Sequence, residues 1–178
     1  MQISRVWAMP HRDTFQVKPI RVFVQKYLRD ARCSIDPFAR NSRLATVTND
    51  LNPETSAEYH MDALDFLKML ASRGARADVV IFDPPYSLEQ CKRAYDSIGR
   101  KVTMRDTQIW GRWTEHKQII GELLSPAGTF LHFGWHTNGL GKKHGFEIVE
   151  LLDVAHGSGH YDTLCIAERR PQFTRVSV

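Results

Sequence analysis

Val79-Val80-Ile81-Phe82-Asp83-Pro84-Pro85-Tyr86-Ser87 is the stretch on which the reading of this chain turns. An apolar, β-branched run leads into an acid, two prolines and an aromatic ring. Proline has no N–H to give to a sheet ladder, so Pro84 and Pro85 end the strand. Their fixed φ also stiffens the turn that follows. An acid and a ring are thereby held at the carboxyl edge of a sheet, where open α/β folds bind ligands.

Outward from that strand, strand-like and helix-like segments alternate, which predicts a parallel sheet with crossover helices. Residues 18–30 carry Ile20, Phe23, Val24, Tyr27 and Leu28 at helical spacing. Short strands are predicted over 33–38, 44–48 and, briefly, 59–61, before an amphipathic helix over 62–72 and the strand over 77–82. Residues 88–110 show no clean period and read as a long loop. A helix over 113–124 is stopped by Ser125-Pro126-Ala127-Gly128 and followed by a strand over 129–135. The runs 146–154 and 161–168 flank His156-Gly157-Ser158-Gly159-His160 and predict an antiparallel hairpin.

The 178 residues suit one domain, with 18–75 and 77–170 as its two halves. Hydrophobic content of 42% and charged content of 25% are globular values. No apolar run approaches the ~20 residues of a membrane span. The first thirteen residues lack a signal peptide's uninterrupted apolar stretch. Cys33, Cys91 and Cys165 are too few and too scattered for a disulfide framework, so a reduced, cytoplasmic protein is expected. A net charge of +4 and a pI near 9.1 admit a polyanionic partner without demanding one.

Asp83 has company. Asp36, Asp50 and Asp62 each close or follow a predicted strand. A nucleotide-like cofactor lying across the carboxyl edge of a sheet offers ribose hydroxyls, an adenine amine and a cationic ammonium, all of which need acceptors. Taken singly, each acid reads equally well as a helix N-cap or a solvated turn residue. Their ordered recurrence favours the cofactor.

Asp83-Pro84-Pro85-Tyr86 resembles the catalytic motif of S-adenosylmethionine-dependent amino-methyltransferases, above all those that methylate N6 of adenine in DNA. Asp36-Pro37-Phe38-Ala39 resembles the family's first motif, with Arg40-Asn41-Ser42 standing where its glycines usually are. Asn41 can still take a left-handed conformation there, so the turn remains possible. Thr14-Phe15-Gln16-Val17-Lys18-Pro19-Ile20 resembles the cofactor-flanking motif. With Thr48-Asn49-Asp50-Leu51-Asn52-Pro53 and Phe133-Gly134-Trp135, the chain is similar to small adenine methyltransferases of phages and prophages.

The resemblance implies a Rossmann-like methyltransferase fold: a mostly parallel seven-stranded sheet, a C-terminal antiparallel hairpin, and helices on both faces. It implies S-adenosylmethionine as cofactor, met by Phe15, Lys18, Asp36, Pro37, Phe38, Ala39, Asp50, Leu51, Asp62, Ala63 and Asp83. Asp50 would bind the ribose and Asp62 the cofactor's adenine amine. Catalysis would rest on Asp83, Pro84, Pro85 and Tyr86, with DNA as substrate, RNA as the alternative, and a bacterial or phage-infected cytoplasm as the setting. A non-catalytic nucleic-acid-binding subunit on the same scaffold is the reading from another class. No target-recognition domain is evident, so specificity could come from a dimer mate or a partner subunit. An NAD-binding Rossmann domain is disfavoured, since no Gly-x-Gly-x-x-Gly follows the first predicted strand.

These residues suit the reaction. The adenine amine is a poor nucleophile because its lone pair is delocalised into the ring. Acceptors on both N–H groups draw the nitrogen toward tetrahedral geometry; the Asp83 carboxylate and the Pro84 carbonyl would be those acceptors. Positioning and electrostatic stabilisation then supply the rate. A base inside a duplex must be flipped out first, and Tyr86 offers a ring on which to stack it. Residues 88–113 interleave Lys92, Arg93, Arg100, Lys101, Arg105 and Arg112 with Tyr95, Trp110 and Trp113, which suits a nucleic-acid surface or an ordinary solvated loop equally. His156 and His160 flank the hairpin turn; no metal is expected, because a site needs more ligands than this pair. His132 and His136 are adequately explained by packing.

Overall fold

The computed structural model describes residues 1–96, 98–101, 103 and 113–171. Seven strands form one sheet: β1 Gln2–Trp7, β2 Ser34–Asp36, β3 Val47–Thr48, β4 Ala77–Phe82, β5 Leu124–Gly134, β6 Glu147–Ala155 and β7 Thr163–Arg169. Four helices accompany them: α1 Lys18–Leu28, α2 Ala63–Ser72, α3 Leu88–Asp96 and α4 Thr114–Leu123. The strand order is β1-β6-β7-β5-β4-β2-β3. Only β7 runs against its neighbours, β5 and β6; the other pairings are parallel. The expected parallel sheet with its antiparallel hairpin is therefore what forms.

Side-chain alternation along β4 sorts the core into two layers. Val79 and Ile81 face α1, where Ile20, Phe23 and Val24 pack on them with Leu131 and Phe133. Val80 and Phe82 face the other way, against Phe66, Leu67 and Leu70 of α2 and Ile120 and Leu123 of α4. Helices thus cover both faces, and the strand ends between them hold the candidate residues.

The structure departs from the sequence reading in four places. The brief strand over 59–61 reduces to a single bridge between Asn49 and Tyr59. The seventh strand is instead β1, whose exposed, mixed composition gives no core-facing pattern; it pairs with β6 from Gln2↔Glu150 to Trp7↔Ala155. Residues 88–96, read as loop, are helix α3. Ser87 caps it, its Oγ accepting from the Gln90 amide at 3.2 Å, while the Gln90 side chain accepts from the Tyr86 amide at 2.7 Å. Ser87 and Gln90 thus cap the helix much as a capping box does, with Gln90 reaching the amide before the cap rather than the cap's own, and Glu89 and Arg93 pair one turn apart. The rest of that predicted loop, residues 97, 102 and 104–112, lies outside the described residues. Finally, β5 begins at Leu124, straight after α4, and Ser125-Pro126-Ala127-Gly128 is a bulge between the pairings Ala77↔Leu124 and Val79↔Thr129. A Cβ on Gly128 would lie 3.0 Å from the Ser125 carbonyl and 3.1 Å from that of Ala77, so any other residue would crowd the backbone of the bulge.

Candidate active site

Three acids leave three neighbouring parallel strands at the same edge. β2 ends in Asp36, Asp50 lies two residues beyond β3, and Asp83 directly follows β4. Asp36 is fully buried. Its Oδ1 accepts from the Phe38 amide at 3.0 Å, while its Oδ2 is buried with no partner among the described residues. Burial, reinforced by the charges of Asp83 and Asp50, pushes its carboxyl well above the ordinary carboxylate range. A buried acceptor without a donor, close to two more acids, is what a cationic ligand with N–H groups would satisfy.

Both oxygens of Asp50 already accept backbone amides, Oδ2 from Arg40 at 3.0 Å and Oδ1 from Asn52 at 2.9 Å. Each carboxylate oxygen keeps a second lone pair for a ligand. Asp62 caps α2, its Oδ1 accepting from the Leu64 amide at 2.9 Å. The left-handed residue of the first turn is Arg40, at φ 50°, and not Asn41 as the sequence suggested. Asn41 instead accepts from the Ser56 amide at 3.0 Å. Arg40 tolerates the strain because its ends are held. Its amide bonds to Asp50, and its guanidinium meets Asp13 at 2.8 Å and the Arg12 carbonyl at 3.1 Å. The turn therefore forms without the family's glycines.

At the tetrad, the Tyr86 hydroxyl donates to Asp83 Oδ1. Asp83 keeps partial exposure, yet it is crowded enough that burial raises its carboxyl to about 6. Hydrogen bonds from Tyr86 and Thr14 and the charge of Arg40 hold it below a higher value. Tyr86 in turn is pushed well above its ordinary range by burial and by the Asp83 charge. The pair at neutral pH is thus an ionised carboxylate and a neutral phenol.

Beside the pair lies a cavity of about 20 Å³, room for a water, lined by Pro84, Tyr86, Trp113, His132, Trp135 and His136 among others. His132 is 2% exposed, its Nδ1 has no partner among the described residues, and its ring lies along Phe82, Phe130 and His136. Burial, with the charges of Lys117 and His136, lowers its pKa to about 3, so it is neutral at any working pH. Thr14, His132 and Trp135 are the site residues that the sequence reading did not assign. Phe133-Gly134-Trp135 was the available signal for the last.

The remaining predicted residues divide between core and edge. Phe15 is buried edge-on against Phe133 at 5.3 Å and belongs to the core. Lys18 opens α1 and is exposed. Pro37 and Ala39 are buried, Ala39 donating to the Asn49 carbonyl at 2.9 Å. Phe38 packs between Phe82 and Trp113, each 5.5 Å away. Leu51 is partly exposed beside Asp50, and Ala63 is buried at the start of α2. Pro84 is buried and Pro85 partly so. Of the expected basic and aromatic segment, Arg93 pairs with Glu89 and Arg100 lies over the Tyr95 ring at 4.8 Å; Arg105, Trp110 and Arg112 lie outside the described residues. His156 is a structural histidine, bonded to the Ala8 carbonyl and the Thr163 hydroxyl, each at 2.9 Å. No group of three or more metal-ligating side chains occurs among the described residues.

No family model and no curated protein matches the chain. Solved structures do. The SAM-dependent methyltransferase from Agrobacterium tumefaciens superposes with a TM-score of 0.52 at 12% identity, over 86% of this chain and 63% of that one. SMU.776, in complex with SAH, superposes at 0.54 and 12% identity, over 83% and 48%. The N-methyltransferase NodS from Bradyrhizobium japonicum superposes at 0.51 and 12% identity, over 87% and 98%. The fold is the Rossmann-like methyltransferase fold. The chain spans about half to two-thirds of the first two structures' length and nearly all of the third. Within this methyltransferase fold, the acid-bearing ends of β2, β3 and β4 form one half of the sheet edge. The ring-bearing ends of β5 and the β6–β7 turn form the other, and Asp83 stands between them.

Proposed function

We propose that this chain transfers the methyl group of S-adenosylmethionine to N6 of a flipped-out adenine in DNA. The observation that carries the reading is Asp83-Pro84-Pro85-Tyr86 at the end of β4, one strand from the partnerless buried Oδ2 of Asp36. The fold supports it, and SMU.776 is complexed with SAH, the demethylated form of that cofactor.

S-adenosylmethionine supplies the electrophilic methyl when bound. Asp36 accepts from the cofactor's ammonium, and Asp50 offers its remaining lone pairs to the ribose hydroxyls. The acids Asp36, Asp50 and Asp83 suit a cationic cofactor, whose charge would draw the raised Asp36 carboxyl back toward its ionised form. On the substrate side, ionised Asp83 accepts one N6 hydrogen and the Pro84 carbonyl, which no protonation can remove, accepts the other. Tyr86 carries the base on its ring face. Admitting an adenine requires the small cavity between Tyr86, Trp135 and His136 to widen.

The decisive experiment is transfer of labelled methyl from S-adenosylmethionine to DNA and RNA of varied sequence, with product analysis. N6-methyladenine in DNA, lost in Asp83→Ala, is the expected result. Methyl transfer only to RNA, to cytosine or to protein refutes the substrate assignment. Failure to bind S-adenosylhomocysteine by calorimetry refutes the enzyme reading.

A further inference from the structure

Beyond Tyr86 the sheet edge changes character. The acids lie on the β2 and β3 side, whereas in the other direction the order runs β4-β5-β7-β6-β1. Trp135 directly follows β5, and Tyr161 stands two residues before β7. Their rings continue outward from the tetrad. Tyr86 meets Trp135 edge-on at 5.8 Å, and Trp135 meets Tyr161 at 4.5 Å with the planes tilted by 37°. Exposure climbs along the series: Tyr86 is partly buried, Trp135 is 39% exposed and Tyr161 72%. Trp7, 64% exposed at the end of β1, borders the same hairpin turn near Gly157.

Large rings left this bare, in contact with one another and ending at a candidate catalytic residue, invite a partner with flat apolar faces. The acids bordering the track are partly neutralised, which lessens their repulsion of an anionic one. Asp162, beside Tyr161, is held by Arg5 at 3.1 Å, and so is Asp153. His136 and His160 are exposed on the same turns, and the chain carries a net charge of +4.

We propose that Trp135 and Tyr161 form a stacking track for unpaired bases flanking the target adenine, so that the chain takes its DNA as a single strand. The proposal rests on the function proposed above and names the form of its substrate. A base in a duplex has both faces covered by its neighbours and cannot lie on the outer face of Tyr161; an unpaired base can. Every base has such a face, so the track is indifferent to sequence.

The test uses the full chain and fluorescently labelled oligothymidine of about twelve nucleotides, a probe with no adenine to methylate. The wild type should bind it more tightly than the matching duplex. Tyr161→Ala and Trp135→Ala should each lower that affinity about tenfold, whereas Tyr161→Phe should keep it, because stacking uses the ring and not the hydroxyl. S-adenosylhomocysteine affinity, measured on the same samples, should be unchanged in Tyr161→Ala. Unchanged oligothymidine affinity in Tyr161→Ala, or a wild-type preference for duplex, overturns the track even where DNA methylation is found. Conversely, ring-dependent binding of oligothymidine by a chain that methylates no nucleic acid upholds the track and refutes the enzymatic reading.

Discussion

Removing one oxygen atom, in Tyr86→Phe, separates the two roles that Tyr86 occupies in this site. The ring remains to carry a base, but the hydroxyl that donates to Asp83 Oδ1 is gone. That bond favours the ionised carboxylate and is the first of the effects opposing burial, which has already raised Asp83 to about 6. A hydrogen bond to a charged group is worth about 1.5–3 kcal/mol, and 1.36 kcal/mol corresponds to a tenfold change in protonation. Its loss therefore moves the half-ionisation point from about pH 6 to about pH 7–8. The ionised Asp83 carboxylate is the stronger acceptor for the amine hydrogen and the form that stabilises the developing cationic amine, so activity is high above that point and falls below it. At pH 7 the variant should be about two- to fifteenfold slower than wild type, and by about pH 9 the two should converge. The assay is kcat/KM for methyl transfer from pH 5 to 9, which reports ionisations of the free enzyme. Tyr86→Ala, which loses the ring as well, should be slow throughout. A Tyr86→Phe profile with its acid limb still near pH 6, or a uniform loss at every pH, would refute the reasoning.

Three further outcomes are expected. Asp83→Asn should abolish methylation yet raise the melting temperature at pH 7. A carboxyl lifted from its ordinary value near 3.9 to about 6 costs the fold up to about 3 kcal/mol once ionised, and calorimetry should show the gain shrink as pH falls toward 4. Asp50→Ala should weaken S-adenosylhomocysteine binding by about 1.5–3 kcal/mol by calorimetry; unchanged affinity in a folded variant sinks the ribose assignment. A 2-aminopurine at the target position of bound DNA should brighten as it unstacks, and a dark complex shown to be bound would argue against base flipping.

The strands that carry the site were legible because their signals are local. Prolines cannot extend a ladder, so Pro37 and Pro84 marked the ends of β2 and β4, and with them the places of Asp36 and Asp83. What depends on distant contacts was not legible. β1 has neither period nor core face, and only its pairing with β6, far along the chain, makes it a strand. Phe15 sits in a motif beside the cofactor residues, yet its ring is taken up by Phe133. The strained turn fell on Arg40 rather than Asn41, because Asp13 and Asp50 hold Arg40 from two sides. Helix α3 was missed for a different reason. Its cap, Ser87 with Gln90, was local and readable, but the segment beyond it is mostly polar, with Cys91 its buried residue, and that low apolar content obscured the signal. The bond between Tyr86 and Asp83 follows from side-chain packing alone and has no sequence signature.

The pairing of β1 with β6 also orders events in time. Gln2 through Trp7 are synthesised before every other element of the sheet, yet their partner Glu150–Ala155 emerges almost last. Throughout elongation β1 has no ladder to join, and Ile3, Val6 and Trp7, which stay exposed even in the folded chain, remain free to meet other chains. Closure of so distant a pair is slow, since its entropic cost comes before any contact is gained. The edge opposite the cofactor acids should therefore be the last to form and the first to open, and amide hydrogen exchange should find β1 the least protected strand.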